Sequence, residues 1–220
     1  MRYLGNKTKL ENFLVDNLEP YLPEDGSMFD MFSGTGSVAK MFKELGYKTY
    51  STDILYFSYV LQEAYLGNTG MPSFNKSSKF SSYESALKYL NGLKPKHGYV
   101  YNTFADEGTK HLDQPRMFFT ADNAGKIDAI RDELETLRSG KEVTDKEYYI
   151  LLATLLEACS SVANITGVYA AFLKKFEKQA QKPITLKPIA LTLEGKDATC
   201  YNKDGVLLLD VEADLYYLDP

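Results

Sequence analysis

The chain has 220 residues, of which 44% are hydrophobic and 25% charged, and its formal net charge is −5. This is ordinary composition for one globular domain, or for one domain with a large insertion, and it excludes a disordered tail, a collagen-like repeat and a coiled coil. No apolar run approaches the ~18 residues of a membrane-spanning helix, and the N-terminal residues lack the apolar core of a secretion signal.

Cysteine and histidine are rare and scattered. Cys159 and Cys200 form no CxxC pair, and His97 and His111 lack the spacing of metal ligands. We therefore expect reduced thiols in a cytoplasmic protein, without a disulfide framework and without a metal site.

Charge is segregated along the chain. The stretches 73–97 and 172–187 each hold five lysines and one glutamate, whereas 204–219 holds five acidic residues and no basic one. Clustered lysines provide affinity for nucleic-acid phosphates, although solvated helix faces give the same pattern. The net negative charge therefore argues only mildly against a nucleic-acid partner.

The first third of the chain predicts one strand–helix–strand unit. Its elements are a helix over 10–18, a strand over 27–32, a glycine-containing loop over 33–37, a helix over 38–45 and a strand over 47–52. Asp53 follows the second strand. Such a unit implies a parallel sheet.

The middle of the chain predicts mostly helices, and the end predicts strands again. Helices are expected over 56–66, 83–92, 121–138, 145–160 and 167–180, with an exposed loop over 68–82 and aromatic residues without a clear period over 99–119. Short strands over 198–201 and 215–218 flank a turn or short helix over 204–210. The last strand leaves an open edge, so the sheet looks unfinished.

The loop Gly34-Thr35-Gly36-Ser37-Val38-Ala39 fits the G-x-G-x-x-A pattern between a strand and a helix. Its glycines allow close approach of backbone amides to a ligand, and an acid such as Asp53 at the end of the next strand binds ribose hydroxyls. The pattern indicates an adenosine-containing ligand at the carboxyl edge of a parallel sheet, without specifying a nicotinamide.

Three segments in order carry a resemblance to a known family. They are Tyr3-Leu4-Gly5-Asn6-Lys7, Phe32-Ser33-Gly34-Thr35-Gly36-Ser37 and Asp214-Leu215-Tyr216-Tyr217-Leu218-Asp219-Pro220. The chain resembles the D12 class of DNA adenine-N6 methyltransferases, the Dam-like family. Segments 116–120 with Asn123, and 163–169, are similar to its restriction-modification branch. The resemblance implies an α/β fold with a Rossmann-like methyltransferase sheet, incomplete here, and a mostly helical insertion.

The resemblance also implies site residues for the cofactor S-adenosylmethionine. The matching positions are Tyr3, Lys7, Phe32, Ser33, Gly34, Thr35, Gly36, Asp53, Ile54 and Asp204. Asn202 competes with Asp204 for the position near the cofactor's adenine. Read without the resemblance, Lys7 is a solvated lysine at a helix start, and Asp53 equally fits a cap for the following helix.

Asp219 and Pro220 match the first two residues of the family's catalytic Asp-Pro-Pro-Tyr motif. Because the second Pro and the Tyr are absent, we expect an N-terminal fragment, a truncated gene product or half of a split enzyme, whose missing part lies in the native enzyme or in a second chain. We expect this chain by itself to bind the cofactor weakly and not to turn over.

The resemblance implies methyl transfer to N6 of adenine in duplex DNA, with a cognate restriction endonuclease as a possible partner. We expect 1–59 and 184–220 to form the methyltransferase domain, and 60–183 to form a target-recognition insertion. In that insertion Lys174, Lys175 and Lys178 would contact phosphates, with loops 68–82 and 99–119 contacting bases. The alternatives are an NAD(P)-dependent oxidoreductase and a non-catalytic methyltransferase remnant that acts as a DNA-binding module.

Overall fold

The computed structural model describes residue 7, residues 10–167 and residues 169–220. Within these residues the chain divides into two compact units, one formed by residues up to 72 together with 190–220 and the other by 73–189. These boundaries differ from the predicted 59/60 and 183/184, because the helix over 56–66 packs with the sheet.

The sheet unit contains a four-stranded parallel sheet with the strand order β3-β2-β1-β4. In this unit the helices are α1 (Glu11–Leu18), α2 (Ser37–Glu44) and α3 (Tyr56–Leu66), and the strands are β1 (Ser27–Asp30), β2 (Lys48–Thr52), β3 (Ala198–Tyr201) and β4 (Leu215–Tyr217). The predicted parallel sheet is confirmed, and each predicted element of this unit is present within a few residues. A 3-10 turn, Gly205–Leu208, lies in the predicted 204–210 segment.

Alternation along β1 sends successive side chains to opposite faces of the sheet. Met28 packs with apolar residues of α1 and α2, whereas Phe29 faces the segment that follows β3. On this second face the Phe29 ring lies about 6 Å from one tyrosine ring on each of the other three strands, namely Tyr50, Tyr201 and Tyr216. The pattern of one aromatic ring per strand explains how short strands form a defined core.

A fully buried lysine ties α2 to the end of α3. The Lys43 ammonium donates to the carbonyl oxygens of Leu66 and, at 2.7 Å, Asn68. A cation at a helix C-terminus satisfies the last carbonyls and interacts favourably with the helix dipole. This lysine therefore fixes the helix that packs behind the glycine loop.

The second unit is helical. Its helices are α4 (Tyr83–Asn91), α5 (Tyr99–Phe104), α6 (Ala121–Ser139) and α7 (Asp145–Val162). Local capping boxes begin α4 at Ser82 and α7 at Thr144, and both of these predicted helices are present. α5 was not predicted, because its N-terminal amides are capped from a distant position by the Asp128 carboxylate.

The predicted helix over 167–180 is absent, and this prediction was wrong. Ile165 and Phe172 form an antiparallel bridge, and Gly167 has a φ of +135°. The Asn164 side chain donates to the carbonyl oxygens of Met117 and Leu173 and accepts from the Glu177 amide, at 2.9–3.1 Å. These tertiary hydrogen bonds replace the helical ones, so the segment is an irregular, pinned loop.

Candidate functional site

The carboxyl ends of all four strands meet at one edge of the sheet, because the strands are parallel. Loop 31–36 follows β1, Asp53 follows β2, Asn202 follows β3, and Asp219 lies two residues beyond the end of β4. Most of the cofactor and catalytic residues predicted from sequence are therefore brought to a single edge.

The glycine loop turns sharply from β1 into α2. Gly34 and Gly36 have φ values of +52° and +79°, in the left-handed region that favours glycine. The Gly36 amide donates to the Ser33 carbonyl at 2.8 Å, and the Gln62 side chain donates to the Gly34 carbonyl at 3.0 Å. The loop is thus supported from within and from α3, with Thr35 partly exposed between the two glycines.

Asp53 connects β2 to this loop. One carboxylate oxygen accepts from the Gly34 amide at 2.9 Å, and the other accepts from the Leu55 amide at 2.8 Å. A carboxylate has about four lone-pair sites, so each oxygen retains capacity for a further donor. Asp53 therefore orders the turn that leads into α3, but it does not cap this helix, whose N-cap is Leu55 without a side-chain cap hydrogen bond. Its carboxylate can still accept from a diol.

Asp219 meets the beginning of the described chain. Its carboxylate lies 2.5 Å from the Lys7 ammonium and 3.4 Å from the Tyr217 hydroxyl. The Lys7 backbone amide in turn donates to the Ser37 hydroxyl at the start of α2, at 3.4 Å. Lys7, the first residue of α2 and the closing aspartate are thus neighbours.

Tyr217 lies in a partly desolvated and acidic position. Burial, followed by the negative charges of Asp219 and Asp30, raises the pKa of its phenol to about 12. Tyr217 therefore stays neutral over the physiological range and acts as a hydrogen-bond donor to Asp219.

Sequence reasoning missed Asp30, the last residue of β1. Its side chain is fully buried, and its carboxylate accepts from the Ser33 hydroxyl at 2.9 Å. Burial raises its pKa to about 7, against the lowering effect of hydrogen bonds from Ser33 and from two backbone amides. Its position directly before the glycine loop is the sequence signal that could have identified Asp30 as a candidate site residue.

Gln62 is the second residue that sequence reasoning missed. It is fully buried in α3, and no pattern in the sequence distinguishes it from other polar residues of a helix. Its contact with the Gly34 carbonyl appears only in the tertiary structure.

Large apolar side chains are exposed along the same edge. Phe32 is 36% exposed, Ile54 71%, Val206 60% and Leu218 60%, one beside each strand end. Single exposed apolar residues are common, but four at one edge beside carboxylates suit a ligand with a flat apolar part and a polar part.

Both candidates for the position near an adenine lie at this edge. Asn202 donates to the carbonyl oxygens of Asp53 and Ile54, at 2.9 and 3.1 Å. Asp204 accepts from the Val206 amide and begins the 3-10 turn. Asn202 thus positions Asp53, and Asp204 positions Val206.

The remaining predicted residues are Tyr3, three lysines and Pro220. Tyr3 lies outside the described residues, as does Val168 in the 163–169 segment. Lys174, Lys175 and Lys178 are exposed and belong to the helical unit. Pro220 is exposed beside Asp219.

A sequence profile described as D12 class N6 adenine-specific DNA methyltransferase matches residues 3–220. The chain belongs to this family. The D12 match covers the glycine loop, the Asp53 position and the terminal Asp-Pro together, whereas the oxidoreductase alternative depended on the glycine pattern by itself. The family assignment therefore excludes that alternative.

Individual relatives of this D12-class chain are modification enzymes. It is 34% identical to the type II methyltransferase M.NlaIII of Neisseria lactamica over its full length, which is 64% of that protein. It is 37% identical to modification methylase LlaI of Lactococcus lactis subsp. lactis and covers 35% of that protein. It is 32% identical to the type II methyltransferase M.FokI of Planomicrobium okeanokoites and covers 34% of that protein. The chain thus spans between about a third and two thirds of these relatives' length. No solved structure matches significantly.

Among the described residues, no group of three or more His, Cys, Asp and Glu side chains is placed to hold a metal ion. None of their helices combines the length and the apolar character needed to cross a membrane.

Proposed function

We propose that the chain is the cofactor-binding part, including the catalytic aspartate, of a DNA adenine-N6 methyltransferase that uses S-adenosylmethionine. The observation that carries this proposal is the meeting of the glycine loop, Asp53 and the Lys7–Asp219 pair at one sheet edge. The names of the relatives support a modification enzyme of a restriction-modification system, with a cognate endonuclease as partner.

The residues present fit S-adenosylmethionine. Asp53 has acceptor capacity for the ribose hydroxyls, exposed Ile54 offers an apolar surface for adenine, and carboxylates near the loop suit a ligand that carries positive charge. Phe32, Ser33, Gly34, Thr35 and Gly36 would surround the methionine portion, with Lys7 beside the start of α2. Asp204 and Asn202 remain the two candidates beside the adenine.

When bound, the cofactor supplies an electrophilic methyl group on sulfur. Adenine N6 is a poor nucleophile, because its lone pair is delocalised into the ring. Asp219 would accept a hydrogen bond from one N6 hydrogen, and the Pro220 carbonyl from the other, which orients the nitrogen and favours attack. Extrusion of the adenine from the duplex costs a few kcal/mol, which DNA contacts elsewhere must offset.

Contacts to duplex DNA would come from the helical unit. Lys174, Lys175 and Lys178 are exposed, and in the described part of the chain none of the three is ion-paired. They lie on the loop pinned by Asn164, so their backbone positions are held although no helix carries them. Held lysines with free ammonium groups suit phosphate contacts.

Cofactor binding is the first test. Titration calorimetry of the chain with S-adenosylmethionine should give saturable binding, and Asp53→Ala should weaken it about 10- to 100-fold, because a charged hydrogen-bond acceptor contributes about 1.5–3 kcal/mol. Asp197→Ala is the matched control, since Asp197 is exposed beside the opposite end of β3. Absence of binding by the wild-type chain, or equal loss in both variants, would refute the proposal.

Methyl transfer is the second test. The protein encoded by the complete reading frame around these residues is incubated with cofactor and adenine-containing duplex DNA, and N6-methyladenine is measured. We expect transfer by the wild type and a loss of about 100- to 1,000-fold in Asp219→Ala, as for removal of a preorganised catalytic group. Cofactor binding without any transfer would support the alternative of a non-catalytic DNA-binding module.

A further inference from the structure

One cavity of the helical unit is lined by aromatic rings and an arginine. Its volume is about 500 Å³, within the usual range for sites that hold a small organic group. The side chains around it include Phe104, Phe118 and Phe172, together with Arg116 and Gln114. Apolar rings with a few polar groups suit a flat heterocycle such as a nucleobase.

The phenylalanine rings form a fixed wall. The centroid of the Phe118 ring lies 5.5 Å from that of Phe104 and 5.0 Å from that of Phe172, and both pairs are edge to face. Phe118 is buried, whereas Phe104 and Phe172 are partly exposed. The Phe119 amide donates to the Phe104 carbonyl at 3.2 Å, which ties the two backbone segments together. The wall is therefore part of the packed unit, and its open side offers ring surface to a ligand.

Arg116 is exposed and is held beside this cavity. Its backbone amide donates to the buried Thr109 hydroxyl at 2.7 Å, and Nη1 of its guanidinium donates to the Thr103 carbonyl at 3.1 Å. Among the described residues, no carboxylate lies within ion-pair distance of Arg116. A guanidinium has several N–H donors, so the contact with Thr103 orients the side chain and leaves donors for a ligand.

The donors of Arg116 favour guanine over the other bases. A guanidinium that binds with two hydrogen bonds needs two acceptors on one edge, and guanine presents them at O6 and N7. Adenine combines its N7 acceptor with a donor, cytosine presents a donor, and thymine presents a single acceptor. The Gln114 amide can in addition accept from N1–H of a guanine that has left its base pair. Reading a base edge in a groove needs the arginine alone, whereas the aromatic wall adds contact for the face of an unstacked base.

We propose that this cavity is a specificity-determining site that takes one unstacked guanine of the DNA recognition sequence, with Arg116 donating to O6 and N7. This inference rests on the proposed function, because it names a base that the modification enzyme recognises besides its target adenine. Contacts of lysines to phosphates position the DNA, whereas a contact to a base distinguishes sequences. Contact with the phenylalanine rings offsets part of the cost of unstacking the guanine.

The first experiment selects bound duplexes from a randomised library and sequences them, using the protein encoded by the complete reading frame, so that no methyl transfer is required. We expect a guanine at a fixed position for the wild type. Arg116→Gln should reduce the preference for this guanine by about 5- to 150-fold, as for removal of a bidentate base contact. The matched control is Arg131→Gln, which removes the same charge from α6, where Arg131 is paired with Glu135.

The second experiment tests the contact itself with 7-deazaguanine, which replaces N7 by a C–H group and keeps the base pair. Duplex affinity is measured by fluorescence anisotropy at one salt concentration. For the wild type it should fall about tenfold or more at one guanine position, as for loss of a hydrogen bond from a charged donor, and for Arg116→Gln it should not fall further. Phe172→Leu keeps an apolar side chain but removes a ring, and it should weaken the same preference.

Each outcome supports or overturns the site. A preferred sequence without guanine, no sequence preference, or the same preference in wild type and Arg116→Gln would overturn it. An equal loss of affinity for all sequences would make Arg116 a phosphate contact, and an unchanged preference in Phe172→Leu would place the guanine in a groove instead of the cavity. If Arg116→Gln does not fold, wild-type affinity that is equal for guanine and 7-deazaguanine at every position contradicts the proposal independently. Cofactor binding and methyl transfer test the proposed function separately.

Discussion

At the scale of the residue, function and stability compete at Asp30. A buried carboxyl group whose pKa is raised is favoured in its neutral form, so the folded state binds a proton that the unfolded chain has already lost. Near neutral pH, the hydrogen bonds that the buried Asp30 carboxylate accepts therefore do not fully offset the free-energy cost of its desolvation. Such a cost is typical of a group retained for its role in a site.

Asp30→Asn tests this competition through stability. Because the folded-state pKa of about 7 lies above the ordinary aspartate pKa of 3.8, the stability that protonated Asp30 contributes is complete below pH 4 and is lost as the pH rises to 7. The unfolding free energy of the wild type minus that of Asp30→Asn should fall over this window, by at most about 1.4 kcal/mol per pH unit, and stay constant above it.

The measurement is denaturant unfolding of both proteins between pH 4.5 and 8.5. Ser33→Ala provides the internal comparison, because loss of its hydroxyl donor should extend the falling region to higher pH. A difference that stays constant from pH 5 to 8.5 would mean that Asp30 is ionised in the folded protein throughout this range.

At the scale of the element, the loop over 163–178 shows how tertiary hydrogen bonds override helix signals. The predicted helix over 167–180 contains good helix formers such as Ala170, Leu173 and Lys174. The buried Asn164 side chain nevertheless binds backbone groups of two separate segments, and Asn164 is 1% exposed. Three buried hydrogen bonds outweigh the modest propensity differences of a single turn.

Asn164→Ala should therefore destabilise the protein by about 2–4 kcal/mol, because it leaves buried carbonyl and amide groups without a partner. Backbone amides of 173–178 should also lose protection from hydrogen exchange, more than amides of α6. The control is Asn102→Ala, which removes an exposed asparagine with one local hydrogen bond. Similar exchange in both variants would show that Asn164 does not hold the loop.

At the scale of the whole molecule, positive charge is concentrated in two stretches although the net charge is negative. The chain carries −5 overall, yet two stretches of the helical unit each hold five lysines and one glutamate. Local clusters of lysine, and not the net charge, set the number of counterions that DNA releases on binding. A charge-matched comparison of lysines within the helical unit therefore tests where DNA is contacted.

Replacing three lysines with Gln, at Lys174, Lys175 and Lys178, should make duplex binding less dependent on salt. The slope of log affinity against log salt should become shallower by about 2.7, because each lost phosphate contact accounts for about 0.9. The control changes Lys88, Lys94 and Lys146 to Gln, which removes the same charge from exposed positions of the same unit, outside the two loops that are expected to contact bases. Affinity is measured by fluorescence anisotropy at several salt concentrations. Equal slopes in the two variants would reject the assignment of these lysines.

The sequence by itself determined the elements of the sheet unit and most of its site. Alternating apolar residues, the glycine loop and the acid after β2 are local signals, and parallel connectivity necessarily brings the carboxyl ends of the strands to one edge. The sequence alone therefore places Asp53, Gly34 and Asp219 at one sheet edge, and the structure has them there.

Tertiary structure decided what depends on contacts between distant residues. α5 exists because Asp128 caps it from α6, and the helix over 167–180 fails because Asn164 binds its backbone. Asp30 and Gln62 became site residues through burial and hydrogen bonds to the glycine loop. A sequence pattern encodes periodicity and local capping, whereas desolvation and long-range hydrogen bonds arise only when segments far apart in the chain are packed together.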